Sequence, residues 1–139
     1  MDDIFAIQIL KARYFRAIDT KDWDLLESVM VEDVAIDVTD DLEGGAPYTG
    51  RAEFVGGCAK VLRRAVTVHH GHMPEIEVDG DTATGIWAME DFVDWGTGED
   101  GQRRAFRGYG HYHERYVRDG DGRWRIASLT LSRIRRDWL

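Results

Sequence analysis

Several shortages in the sequence narrow what the chain can be. It has one cysteine, Cys58, among 139 residues, so no intrachain disulfide can form and a reducing, cytoplasmic setting is expected. Within "VGGCAKVL" that thiol reads as a small buried residue rather than a nucleophile. Positive charge is scarce as well. Eighteen Lys and Arg against 26 Asp and Glu leave a net charge of −8. That speaks against a nucleic-acid partner, because phosphate binding needs clustered cations. The one basic run, Arg133, Arg135 and Arg136, reads as a solvated end of the chain. No apolar stretch approaches the ~18 residues of a membrane span, so no membrane role is expected. The opening "MDDIFAIQ" also lacks the basic-then-apolar layout of a signal peptide. With no repeat, low-complexity tract or linker, a single domain over 1–139 is expected.

What is present suits a soluble domain with a core: 43% hydrophobic and 32% charged residues. Aromatics reach 11%, with five Trp, more than a minimal core needs and well suited to lining an apolar pocket. Ile4, Ile7, Leu10, Tyr14 and Ile18 recur at helical spacing, with Lys11 and Arg13 off that stripe. A second helix is expected after Asp22, an N-cap, carrying Trp23, Leu25, Leu26 and Val29. "DVAIDVTD" alternates as a short strand, 40–50 reads as a loop, and "RAEFVGGCAKVLRR" reads as a third helix. From residue 66 onward four long strand candidates follow, separated by "DGD", "GTGEDGQ" and "DGDG", which favour tight hairpin turns. Three helices before an antiparallel meander predict an α+β domain in which the sheet curls around the helices and leaves a cone-shaped cavity.

The stretch "TVHHGHMPEI" holds three of the five histidines. Alternate residues of a strand share a face, so His69 points opposite to His70 and His72, and a three-histidine chelate from one strand is not expected. His70 and His72 repeat the spacing of His111 and His113, and two such pairs side by side could hold a metal. Gly71 and Pro74 suggest that regular pairing loosens there, and no metal site is expected. His69 is the better catalytic candidate, since imidazole accepts a proton near neutral pH once a carboxylate fixes its tautomer. Two carboxylates are available for that: Asp19 at the end of the first helix, and Asp91 in "AMED". Asp91 shares its face with Trp87 and Met89, and is either paired in the interior or placed at a wet rim by a bulge.

"AIQILKARYFRAID" with the following Trp23, "HHGHMPEIEV", "TATGIWAMED" and "GRWRI…SRI" resemble the SnoaL-like branch of the nuclear transport factor 2-like superfamily, over nearly the whole chain. Within it the pattern is most similar to the bile acid 7α-dehydratases, and it also resembles the scytalone dehydratases and hexachlorocyclohexane dehydrochlorinases. The resemblance implies a cone-shaped fold of three helices on a curved antiparallel sheet enclosing a pocket. It further implies a homo-oligomer, dimer or trimer, and a small apolar ligand. The bile acid dehydratase pattern has site residues where this chain has Tyr14, Asp19, His69, Asp91 and Arg133. The dehydrochlorinase pattern puts an Asp–His dyad at Asp19 and His69 but a lysine at Tyr14, which counts against dehydrochlorination.

The activity so implied is cofactor-free elimination of water from an apolar, polycyclic or steroid-like hydroxy-ketone. His69 would remove a carbon-bound proton, and Tyr14 would polarise a carbonyl or assist the departing hydroxyl. Arg133 would bind an enolate or carboxyl-type group, or be a surface cation beside Arg135 and Arg136. Trp23, Trp87, Phe92, Trp95 and Phe106 are candidate pocket walls. Two alternatives remain open: a double-bond isomerase or polyketide cyclase using the same acid–base set, and a non-catalytic binder or oxygenase small subunit.

Overall fold

The computed structural model describes residues 2–41 and 45–139. Helix α1 (Asp3–Thr20) starts at Asp2, whose carboxylate accepts the Phe5 amide hydrogen at 3.1 Å. It buries Ile7, Leu10, Tyr14 and Ile18 as the spacing predicts, while Ile4 at its first turn is 42% exposed. Lys11 departs from expectation, being fully buried rather than off the stripe. Its place four residues after Ile7 and three before Tyr14 puts it on the buried face, and a partner across the core neutralises it.

Helix α2 (Trp23–Ser28) is capped by Asp22, which accepts from the Leu25 amide at 3.1 Å. Strand β1 (Met30–Asp37), a 3₁₀ turn (Thr39–Asp41), the two-residue β2 (Tyr48–Thr49) and helix α3 (Arg51–Leu62) follow. Of the loop expected over 40–50, residues 42–44 lie outside the described residues. Four long strands complete the chain: β3 (Val66–Asp79), β4 (Thr82–Thr97), β5 (Arg103–Arg118) and β6 (Trp124–Trp138). Gly80 takes φ 61° in the turn between β3 and β4, a backbone angle that residues with a Cβ rarely adopt.

The strands form one sheet in the order β2-β1-β6-β5-β4-β3. From β3 to β6 the meander is antiparallel, as expected. Strand β1, however, runs parallel to β6, so the sheet is mixed rather than wholly antiparallel. Alternation identifies β1 as a strand but carries no information about its neighbour. Val34 and Ile36 are fully buried in the core, as the alternation requires. The register slips between His72 and Glu75, the place where Gly71 and Pro74 signalled loosening.

One face of the sheet packs against α1 and α3. Odd positions of β4 (Trp87, Met89, Asp91, Val93) and even positions of β5 (Phe106, Gly108, Tyr112, Glu114, Tyr116) point to that inner side. Four of the residues buried there are polar or charged: Lys11, Thr67, Asp91 and Glu114. A buried charge is costly unless paired, so the partners of these four locate the site.

Candidate active site

Asp19 lies in the last turn of α1, which ends at Lys21 in the left-handed conformation with φ 60°. That turn sets Asp19 against β3, the outermost strand of the sheet, whose outward amides lack a strand partner. Asp19 Oδ2 accepts the backbone N–H of His69 at 2.9 Å, and Oδ1 accepts the Thr67 hydroxyl at 3.0 Å. The same Oδ1 lies 2.6 Å from His69 Nδ1. A carboxylate can only accept, so Nδ1 carries the hydrogen and Nε2 is left as the basic nitrogen. Lys21 steadies the corner by donating from Nζ to the Thr67 hydroxyl at 2.9 Å. Partial burial alone would raise the Asp19 carboxyl, but its hydrogen bonds to His69 and the His69 charge outweigh this and hold it below its ordinary value. The His69 side chain keeps 9% exposure and stacks on Phe15, with ring centroids 6.1 Å apart. Asp19, not Asp91, is therefore the partner of His69.

Asp91 sits directly across from His69 in the β3–β4 register, so the two share the inner face. It belongs to another pair. Arg133 grips it in two-pronged fashion, with NH1–Oδ1 at 2.6 Å and NH2–Oδ2 at 2.8 Å. The other edge of the same guanidinium holds Asp41, with Nε–Oδ1 at 2.8 Å and NH2–Oδ2 at 3.1 Å. Asp91 is thus interior and paired rather than at a wet rim, and Arg133 is not the solvated cation its neighbours Arg135 and Arg136 suggest. With both edges engaged by carboxylates, Arg133 presents no free fork for a substrate carboxylate. Burial works against its charge, yet its bonds to Asp91 and Asp41 hold the guanidinium above its ordinary value. Gly108 makes the room, since a Cβ there would overlap both the guanidinium and the Asp91 carboxylate.

A third cluster was not foreseen. Lys11 Nζ lies 2.5 Å from Glu114 Oε2, and both side chains are fully buried. The Tyr116 hydroxyl donates to Glu114 Oε1 at 2.6 Å and accepts from Trp87 Nε1 at 2.8 Å. Burial pulls the Lys11 ammonium down to about 8, against the raising effect of the Glu114 carboxylate beside it. Above this network stand the rings of Tyr14 and Tyr112, each with its centroid 3.8 Å from Lys11 Nζ. Burial holds both phenols well above their ordinary range, so both keep their hydrogen.

Of the expected walls, Trp87 and Phe106 are buried on the inner face, and Trp23 packs against the main core. Trp95 packs beside Phe106 and donates from its indole to the Val61 carbonyl at 2.9 Å. Phe92 is a correction. As an even residue of β4 it points to the outer face, where the Arg107 guanidinium lies 5.9 Å from its ring. The concavity at His69 is an open cleft of ≈ 490 Å³ between α1 and the edge strand β3, lined by Phe15, Arg16, Asp19, His69, His70 and His72 among others, and by none of the five expected aromatic walls. His70 and His72 flank Glu90 at 3.7 and 3.4 Å, mostly exposed. Strand β4 separates them from His111 and His113, so the two pairs are not side by side. Among the described residues no three His, Cys, Asp or Glu side chains converge as a metal site. Nor is any described helix long and apolar enough to cross a membrane. Cys58 is buried as expected, and burial pushes its thiol up to about 12.

Residues 1–130 match the SnoaL-like domain. The chain belongs to that family. Solved structures share the fold over nearly the whole chain. A protein of unknown function from Mycobacterium tuberculosis is 31% identical, with a TM-score of 0.76 over 96% of this chain and 77% of that one. A type-3 hexachlorocyclohexane dehydrochlorinase from Novosphingobium barchaimii is 23% identical, with a TM-score of 0.79 over 96% and 88%. A proposed scytalone dehydratase from Novosphingobium aromaticivorans is 20% identical, with a TM-score of 0.78 over 96% and 85%. At those last two identities the likeness is one of fold.

Proposed function

We propose that this SnoaL-like protein is a cofactor-independent hydro-lyase acting on a small apolar hydroxy-ketone, polycyclic or steroid-like in shape. The observation that carries the reading is the Asp19–His69 pair, in which one carboxylate bonds both the ring and the backbone of the histidine. His69 Nε2 takes a proton from a carbon made acidic by a neighbouring carbonyl. The electron pair left behind forms the new carbon–carbon double bond as the hydroxyl on the next carbon departs, and the proton held by His69 is returned to that hydroxyl, giving water and a neutral imidazole. Asp19 stabilises the imidazolium while the proton is held. Tyr14, on the buried face of α1 and kept neutral by burial, is the donor assigned to the oxygen that gathers charge. Asp91 and Arg133 act as a clasp that fixes the inner wall beside His69 rather than as groups that bind substrate. The site calls for no metal or cofactor in this chemistry. Self-association through the exposed sheet face, as a dimer or trimer, is part of the same proposal.

The test is a screen of uncharged polycyclic hydroxy-ketones, followed by mass spectrometry for loss of one water. Water loss that depends on His69 is the expected result. A product with a shifted double bond and no water lost would move the activity to an isomerase, and no turnover at all would leave a binding protein.

A further inference from the structure

The cleft at His69 is lined on one side by a single face of α1, on which Ala12, Phe15, Arg16, Asp19 and Thr20 recur at helical spacing. That lining holds one carboxylate and one guanidinium, and the two are in opposite states. Both oxygens of Asp19 are spent on β3, on the Thr67 hydroxyl and on the ring and backbone of His69. Arg16 stands three residues earlier, where a helix would ordinarily pair it with Asp19. No such pair forms. Apart from the helix ladder, the only hydrogen bond of Arg16 among the described residues is one that its carbonyl accepts from the Thr20 hydroxyl at 2.7 Å. Arg16 is exposed, and no carboxylate among those residues pairs with its guanidinium, although acids outnumber bases by 26 to 18.

The rest of the lining leaves the charge work to this residue. Phe15 gives an apolar wall beside the base, its ring stacked on that of His69 at 14° with centroids 6.1 Å apart. Gly71 leaves room for that wall, because a Cβ there would come within 2.8 Å of the Phe15 ring. His70 and His72 are turned to Glu90, at 3.7 and 3.4 Å. Tyr14 lies on the neighbouring, buried face of α1 and is not among the residues that line the cleft. Arg16 alone in that lining joins a fixed positive charge to unused donors. A guanidinium presents its N–H groups in a planar fork and binds an oxyanion without giving up a proton. Taking a proton from carbon beside a carbonyl puts negative charge on the carbonyl oxygen, and a cation already in place lowers the cost of that charge.

We propose that Arg16 is a further catalytic residue, whose guanidinium hydrogen-bonds the substrate carbonyl oxygen and holds the negative charge that gathers there as His69 takes the carbon-bound proton. No proton passes to or from Arg16. The proposal rests on the acid–base reading of the site given above, and it adds a cation to the neutral donor assigned there. It selects substrates that can set a carbonyl against the α1 side of the cleft while an apolar body lies along Phe15.

The test binds 2-naphthol, whose anion is a planar mimic of an enolate, to the full chain and follows its ionisation by absorbance. Bound to wild type it should lose its proton at a lower pH than in free solution, and high salt should shrink that shift because the guanidinium is solvent-exposed. Arg16→Gln should weaken binding of the anion about three- to tenfold, the worth of a partly solvated hydrogen bond to a charged group, and remove most of the shift. Arg16→Lys should restore part of both. Neither variant should change the melting temperature, because the side chain bonds nothing in the fold. The idea is overturned if wild type does not bind 2-naphthol, if the bound phenol ionises as it does in free solution, or if Arg16→Gln behaves like wild type. An Arg16→Gln chain that melts early overturns it too, since the guanidinium would then be structural. So does Arg16-dependent binding of 2-naphthoate alongside Arg16-independent binding of 2-naphthol, which would assign the cation to a permanent carboxylate. Naphthol binding involves no elimination, so a chain that passes this test and dehydrates nothing would contradict the proposed reaction while leaving Arg16 as the oxyanion's partner.

Discussion

Two of the ion pairs that helix α1 contributes to, Lys11–Glu114 and Asp19–His69, lie eight positions apart and are built differently. The first is sealed: neither side chain has any exposure, and the second oxygen of Glu114 is taken by Tyr116. The second is open: Asp19 keeps 23% of its side-chain surface and His69 9%, and only one ring nitrogen is bonded. In the sealed pair every polar atom is already spoken for, so it can hold shape and field but cannot exchange a proton with a visitor. In the open pair the carboxylate fixes one nitrogen and leaves the other free. Charge in the interior is thus not by itself a sign of chemistry; an unspent donor or acceptor is.

Substitutions separate the two. His69→Ala should lower turnover by about 10²–10⁴-fold, the range for loss of a positioned general base, with the melting curve little changed. Activity within a few-fold of wild type would show that the open pair is structural after all. Lys11→Met should do the reverse, destabilising the fold by about 3–5 kcal/mol because Glu114 is left charged and alone. Replacing Glu114 by Leu in the same chain should recover much of that loss in a denaturant titration. Gly108→Ala should cost about 1–3 kcal/mol by crowding the Arg133–Asp91 clasp. Thermal unfolding at neutral pH reads this directly, and no change would mean that the clasp has slack.

The smallest effect concerns acid. Asp19 titrates below its ordinary value in the folded chain, so its contribution to stability is present above about pH 4 and is lost as pH falls through the folded value. The stability gap between wild type and Asp19→Asn should narrow on going from pH 7 to pH 3. A gap that widens would mean the carboxylate is not held by His69.

Much of the site was legible because it depends on periodicity. Alternation along β3 puts His69 on one face and His70 and His72 on the other, and a helix ending near Thr20 brings Asp19 within reach. The choice between Asp19 and Asp91 was not legible, because both flank His69 and only the pairing of Arg133 with Asp91 decides it. Arg133 itself was obscured by Arg135 and Arg136, which follow on the same strand and are more exposed. Lys11 reads as a surface residue until Glu114, 103 positions away, is seen to be its partner. Phe92 was included as an aromatic wall although the alternation that joins Asp91 to Trp87 and Met89 already puts it on the opposite face. The parallel pairing of β1 with β6 escaped because a strand's own pattern does not say which strand it joins.

The central claim is that His69 removes a carbon-bound proton beside a carbonyl. It can be tested without waiting for elimination, by incubating an uncharged polycyclic ketone with the protein in deuterated water. Deuterium should enter the carbon next to the carbonyl with wild type, and stay at the uncatalysed rate with a folded His69→Ala chain. Equal exchange by wild type and His69→Ala would contradict the account.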